Sequence, residues 1–138
     1  MAARREAHFA AFSEVQPTVR EALTGLRGLG FRLGVVSNCT SDVRGMLHDS
    51  GLADHFDAVV LSAEVGLMKP NPEIFRLAMS RLGVSTGYYV GDGDDGELAG
   101  ARSAGLVDIL LDLGDGRSGS HRVRRIEDVS EIVKGDPW

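Results

Sequence analysis

The chain has 138 residues, of which 43% are hydrophobic and 25% charged, and its formal net charge at pH 7 is -5. This length and composition are typical of one compact globular domain, and we expect neither a disordered chain nor a second full domain. The mild acidity argues against non-specific nucleic-acid binding, which needs a basic surface, and the single cysteine excludes an intramolecular disulfide and a multi-cysteine zinc site.

Helical and strand patterns alternate along the chain. The first dozen residues have a helical composition, and apolar residues at helical spacing predict an amphipathic helix over residues 17–30. The largely apolar run that follows predicts a buried strand over residues 31–37. The alternation continues with predicted helices around residues 43–50, 72–82 and 95–104, strands at 58–62, 88–91 and 107–111, and a short strand or turn into a terminal helix over 126–133. This order indicates an α/β fold with a parallel sheet and helices packed on its faces.

Polar residues follow three of these elements at what we expect to be one edge of the sheet. Ser37 and Asn38 end one strand, the acidic, glycine-rich run 91–97 ends another, and the loop 66–72 between them carries Lys69. Ligands of parallel sheets gather at the carboxyl ends of the strands. We therefore expect Ser37 and the following backbone N–H groups to bind an anion, Lys69 to neutralise it, and the acidic run to hold a hard cation such as Mg²⁺.

Each of these features has a simpler interpretation when it is taken alone. Ser37 would be an ordinary strand-end serine, Lys69 a solvated surface residue, and the acidic run a capped turn. Their occurrence after successive strands, in this order, favours one shared site.

The same residues resemble the haloacid dehalogenase superfamily, which includes many phosphatases, over roughly residues 17–111. Ser37, at the end of an apolar strand and followed by Asn38, matches the family's serine or threonine that binds the transferring phosphoryl group. Lys69 matches the lysine that contacts the nucleophile and the phosphate. Asp92, with the Gly-Ala pair at 100–101 downstream, matches the acidic motif that holds magnesium.

The resemblance implies roles for the residues that match. Ser37, Lys69 and Asp92 would be catalytic, and Asn38 would join Ser37 and Lys69 in binding substrate. Asp92 would ligate Mg²⁺, with Glu97 as the second ligand by alignment and Asp95 as the competing one.

The implied fold is a three-layer, Rossmann-like parallel sheet with helices on both faces, incomplete in this chain. Residues 15–138 would form the core. Residues 1–14 would be a remnant helix resembling the end of the family's cap, the insertion that covers the site, with most of the cap missing.

The nucleophile of the family is not found where the resemblance places it. It is an aspartate at the end of a strand that should precede Pro17, and residues 2–12 contain no aspartate. Asp112 ends the last main strand, Asp94 lies on the helix side of its turn, and Cys39 has no histidine nearby in sequence, so none is expected to replace it.

The nucleophile strand of the family lies in the centre of the sheet, between the strand that ends at Ser37 and the one that ends before Asp92. Its loss would leave buried backbone groups without partners, at about 1–3 kcal/mol each. We therefore expect either that those two strands pair directly, or that a second chain, as in a homodimer, or a complementing N-terminal fragment supplies a strand.

The resemblance therefore implies a Mg²⁺-dependent phosphatase that would act on a small phosphorylated molecule only if a nucleophilic aspartate comes from elsewhere. The alternative is a catalytically inactive module that binds phosphate or a partner, or a truncated fragment. No nucleic-acid or membrane partner is expected. We expect a cytoplasmic location, because no apolar run follows the arginines near the start of the sequence.

Overall fold

The computed structural model describes residues 5–9, 17–112, 114 and 116–134, and for residues 5–9, 17, 18 and 95 it describes the backbone alone. Within these residues, six parallel strands form one sheet in the order β3-β2-β1-β4-β5-β6. The strands are β1 Arg5–Phe9, β2 Phe31–Ser37, β3 Ala58–Leu61, β4 Tyr88–Gly91, β5 Val107–Leu111 and β6 His121–Val123.

Helices cover both faces of this sheet, so the molecule has three layers. They are α1 Pro17–Gly28, α2 Asp42–Asp49, α3 Ser62–Val65, α4 Pro72–Leu82, α5 Glu97–Ser103 and α6 Val129–Val133. One apolar core joins α1 and α6 to the sheet, and a second core joins α4 and α5 to it. Among the residues that the structure describes, none of the helices combines the length and the apolar character of a membrane span.

The alternation of side chains along the strands explains why two cores form. In β4, Tyr88 and Val90 pack into the core beneath α1, whereas Tyr89 packs into the core beneath α4. Strands buried on both faces are nearly continuous in apolar residues, as β2 and β4 are. The predicted α/β fold and three-layer arrangement are confirmed, and β2, β4 and β5 have the predicted bounds. The short elements α3 and β6 were not predicted.

The predicted helix over the first dozen residues is wrong for Arg5–Phe9, whose backbone forms β1. This strand lies between β2 and β4 and pairs with both of them, so the gap predicted there is filled by the chain itself and β2 does not pair with β4. The physical reason is that two buried strands leave rows of backbone donors and acceptors, and pairing with them outweighs a local helical preference. Residues 1–4 and 10–14 of the predicted remnant helix lie outside the described residues. The division at residue 15 stays a prediction.

The helix α5 packs unusually close to the loop before α4, and Gly100 makes this approach possible. A Cβ at Gly100 would fall well inside 3.0 Å of the carbonyl oxygen of Pro70, a backbone atom that cannot turn away. Close packing therefore leaves no room for a side chain at position 100, although glycine weakens the interior of a helix.

We predict that Gly100→Ala destabilises the chain by about 1–3 kcal/mol, because the added methyl group forces the helix and the loop apart. Gly25→Ala in α1 is the matched control, since a Cβ there meets nothing within 4 Å. The control should stabilise the chain by about 0.5–1 kcal/mol through the gain in helix propensity. Urea unfolding of both variants tests this, and a neutral Gly100→Ala would contradict the close packing.

A buried carboxylate fastens the segment that follows β5. Asp108 is fully buried on β5, accepts hydrogen bonds from the N–H (2.9 Å) and the hydroxyl of Ser120, and pairs with Arg102 (2.8 Å). Burial acts to raise the pKa of Asp108, but the hydrogen bonds from Ser120 and the charge of Arg102 outweigh it. The pKa therefore lies below that of an ordinary carboxyl group.

We predict that Asp108→Asn lowers the free energy of unfolding at neutral pH by about 1–3 kcal/mol. A carboxyl group whose pKa is depressed by folding stabilises the native state above its unfolded pKa, about 3.9, and loses this contribution as the pH falls through the folded pKa. The difference between wild type and variant should therefore shrink below about pH 4 in urea unfolding.

Asp49→Asn is the control for this measurement, because it removes the same charge from an exposed side chain at the end of α2. It should change stability by less than about 0.5 kcal/mol. A difference for Asp108→Asn that stays constant over the pH range would show that the charge of Asp108 does not stabilise the fold.

Candidate functional site

Three loops meet at the carboxyl edge of the sheet, and Asn38 joins two of them. Its side-chain oxygen accepts a hydrogen bond from the backbone N–H of Lys69 (2.8 Å), and its amide nitrogen donates to the carbonyl oxygen of Lys69 (3.0 Å). Asn38 therefore holds the backbone of Lys69 from both sides. The structure thus places the amide group of Asn38 on the neighbouring loop, and its predicted role in binding substrate stays a prediction.

The side chain of Lys69 is buried, with 8% of the residue exposed, and it ends at a carboxylate. Its ammonium donates to Glu97 Oε1 (2.7 Å) and to the hydroxyl of Tyr89 (2.9 Å). The predicted residues Lys69 and Glu97 are thus brought together in a buried ion pair. The pairing explains why Lys69 is not the solvated surface lysine of the simpler interpretation.

Glu97 is the first residue of α5, and only 1% of it is exposed. Its second oxygen, Oε2, accepts a hydrogen bond from the N–H of Gly93 (2.9 Å). A Cβ at Gly91 would lie 2.5 Å from Oε2, so glycine at this position leaves the space that the carboxylate occupies. Both oxygens of Glu97 therefore contact protein donors in this arrangement.

Tyr89 completes the ion pair and was missed by the sequence analysis. Its ring packs edge-on against Phe75 with the centroids 4.9 Å apart, and its hydroxyl donates to Glu97 Oε1. Burial, and then the charge of Glu97, hold the pKa of Tyr89 well above its ordinary value, so the hydroxyl stays protonated. The available signal was the alternation along β4, which places Tyr89 and Gly91 on the same face.

Asp92 directly follows β4, and its side chain is 41% exposed. It accepts a hydrogen bond from the N–H of Asp94 (3.0 Å). Partial burial acts to raise the pKa of Asp92. This hydrogen bond, then a side-chain hydrogen bond with Glu97, then the charges of Arg117 and Lys69 outweigh it, so the pKa lies below the ordinary value. Asp92 is therefore an ionised, accessible carboxylate at neutral pH.

Ser37 is the last residue of β2 and is buried, and its carbonyl oxygen accepts a weak hydrogen bond from the Sγ of Cys39 at 3.8 Å. Because β1 lies between β2 and β4, the ends of β2 and β4 are two strand spacings apart, roughly 10 Å. Ser37 and Asp92 thus lie at the same edge of the sheet, on either side of the end of β1.

Asp112 directly follows β5, and both oxygens of its carboxylate have partners. It accepts from the N–H of Gly114 (2.8 Å) and pairs with Arg122 (2.6 Å).

One residue at this edge, Asp92, has the chemistry that a hard cation needs, and the described residues contain no cluster of three or more potential metal ligands. Mg²⁺ is usually held by one or two carboxylates and keeps several waters or substrate oxygens. Asp92 supplies one ionised carboxylate of this kind. The choice between Glu97 and Asp95 as a second ligand stays a prediction, because the side chain of Asp95 lies outside the described residues.

The chain is similar in sequence to proteins of one known family. Residues 1–105 match the model of the haloacid dehalogenase-like hydrolase family. A phosphoserine phosphatase of Thermus thermophilus is 37% identical over 101 residues, which cover 71% of this chain and 41% of that protein. A glyceraldehyde 3-phosphate phosphatase of Methanopyrus kandleri is 38% identical over 107 residues, which cover 75% of this chain and 46% of that protein.

A solved structure agrees with these relatives. The crystal structure of a haloacid dehalogenase-type phosphatase from Thermococcus onnurineus superposes with a TM-score of 0.82 at 29% identity, covering 91% of this chain and 60% of that one. The chain spans less than half the length of the two curated relatives. The family match over residues 1–105 nevertheless includes the three loops that form the site. The chain therefore belongs to the haloacid dehalogenase-like hydrolase family.

Proposed function

We propose that this chain carries the phosphate-binding and Mg²⁺-binding part of a phosphatase that acts on a small phosphorylated molecule. The observation that carries the proposal is the ammonium of Lys69, fixed by Glu97 and Tyr89 at the carboxyl edge of the sheet. A positioned charge of this kind stabilises the negative oxygens of a transferring phosphoryl group without reorganising during the reaction. The names of the relatives support a small phosphorylated substrate.

Each residue has a proposed role that follows from its position. Ser37 binds a phosphoryl oxygen at the end of β2. An ammonium has three N–H donors, and two of those of Lys69 go to Tyr89 and Glu97 within the described residues, which leaves one for the phosphate. Asp92 holds Mg²⁺, and this ion, when bound, neutralises charge on the phosphoryl oxygens.

The attacking aspartate is proposed to come from outside these 138 residues. The first aspartate along the sequence is Asp42, which belongs to α2 and not to a strand end.

A second candidate function follows from the absence of an aspartate before Asp42, namely a module that binds a phosphorylated ligand without turning it over. Turnover that appears when a fragment bearing an aspartate is added would favour the enzyme, and binding without turnover under that condition would favour the module.

The proposal predicts that the purified chain binds inorganic phosphate in the presence of Mg²⁺. Asp92→Asn should weaken this binding at least about tenfold, because it removes the carboxylate that holds the cation, and Ser37→Ala should weaken it by a similar factor. Asp49→Asn, which removes an exposed charge on α2, should leave the affinity unchanged. Calorimetric titration measures all four proteins.

Three results would contradict the proposal. Phosphate that fails to bind, or binds equally well to Asp92→Asn, would show that this edge of the sheet is not the phosphate and cation site. Hydrolysis of an aryl phosphate by the chain alone, abolished by both Asp92→Asn and Ser37→Ala, would show that the nucleophile lies within the chain. Hydrolysis that survives both substitutions would come from a contaminant.

The buried ion pair also has a consequence for stability. We predict that Lys69→Met lowers the free energy of unfolding by about 3–5 kcal/mol, because it leaves the carboxylate of Glu97 buried without its counterion. Adding Glu97→Gln to this variant should recover part of the loss, since the uncompensated charge is then removed. Urea unfolding of the two single variants and the double variant measures the coupling, and strictly additive losses would show that the two residues do not act as a pair.

A further inference from the structure

Arg117 lies in the segment between β5 and β6, beyond the residues that match the family model, and its side chain reaches back to the acidic loop. Its Nη1 donates to the carbonyl oxygen of Asp92 (3.3 Å) and lies 3.9 Å from the carboxylate of Asp92. Its Nη2 lies 3.6 Å from the carboxylate of Asp94. The guanidinium group therefore lies near the carboxylates of both Asp92 and Asp94.

Hydrogen bonds to Arg122 and Asp108 hold the segment that carries Arg117 in place. Arg122, which pairs with Asp112, donates from Nη2 to the carbonyl oxygen of Arg117 (3.2 Å). Ser120 is held by the buried carboxylate of Asp108. Gly119 packs so tightly that an added Cβ would lie 3.0 Å from both Leu110 and Leu98. Arg117 thus reaches the acidic loop from an anchored backbone.

The stem of Arg117 also contacts this loop. A Cβ at Gly93 would lie 3.3 Å from Cδ of Arg117, so the arginine runs along the backbone of the acidic loop before its charged end reaches Asp92 and Asp94. A charge held in this way acts on the carboxylates at a distance of a few ångströms. At that range the interaction of two unit charges is weak in water and stronger beside a protein surface, where the effective dielectric constant is lower.

We propose that Arg117 is a built-in counterion of the acidic loop and lowers the affinity of the site for a divalent cation. A cation that binds the carboxylate of Asp92 must share it with the guanidinium group or displace that group, and it is repelled by the positive charge. This inference rests on the proposed function, in which Asp92 is a cation ligand. Because the side chain of Arg117 is 39% exposed, salt should weaken the effect.

The test is a calorimetric titration with Mg²⁺ alone, so it needs no catalytic turnover. Arg117→Gln should bind Mg²⁺ roughly 3–10-fold more tightly than the wild type, because the competing charge is gone. Arg117→Lys keeps the charge and should stay within about twofold of the wild type. Arg27→Gln is the matched control, since Arg27 has a similar exposure (41%), lies in the last turn of α1, before β2 begins, and pairs with Asp57. It should have the wild-type affinity.

The possible failures are distinguishable. If Mg²⁺ binding is lost in Asp92→Asn but is unchanged or weaker in Arg117→Gln, the role of Arg117 is overturned and the proposed cation site stands. If neither the wild type nor Arg117→Gln binds Mg²⁺, or if binding does not depend on Asp92, both the inference and the proposed cation site are overturned. Circular dichroism of each variant confirms that it is folded before titration.

Discussion

The ion pair between Lys69 and Glu97 holds together the carboxyl edge of the sheet. Two charges taken out of water are costly to bury, and their attraction offsets this only when the geometry is good and further hydrogen bonds are made. Those further bonds are present here, from the hydroxyl of Tyr89 and the N–H of Gly93 to Glu97. Asn38 then fixes the backbone of Lys69. A chain of contacts therefore runs from the end of β2, through the loop before α4, to the start of α5.

This chain of contacts requires that the backbone come unusually close at two points. Gly91 leaves room for the carboxylate of Glu97, and Gly100 leaves room for the carbonyl oxygen of Pro70. Glycine is therefore required at positions 91 and 100 by close packing, and not by the flexibility of the loop. These glycines let the first turn of α5 lie against the loop that carries Lys69. The ammonium of Lys69 and the acidic loop therefore lie at the same edge of the sheet. The buried Lys69 and the partly exposed Arg117 both act to keep Asp92 ionised.

Much of the fold could be predicted from the sequence because the elements are local and strongly patterned. The bounds of β2, β4 and β5 agree with the predicted ones, since buried strands in a parallel sheet are short apolar runs between polar loops. The helix predicted near the start of the chain was wrong for Arg5–Phe9 because its local composition does not reveal that two distant strands need a partner between them. Tyr89 and Arg117 were missed for a related reason. Tyr89 occupies a position in a buried strand where any large apolar residue would be expected. Arg117 lies in a glycine- and serine-rich segment that contains no recognisable motif.

The sequence by itself determined the alternation of strands and helices and the presence of a serine, a lysine and an acidic run after successive elements, because these depend on spacing along the chain. Only the tertiary structure decided which groups bond to each other. It places Asn38 on the backbone of Lys69, pairs Lys69 with Glu97 through Tyr89, and brings Arg117 to Asp92 from a segment 25 residues away. These contacts join residues far apart in sequence, and they form because parallel strands carry their carboxyl ends to one edge, where close backbone packing excludes water from the ion pair.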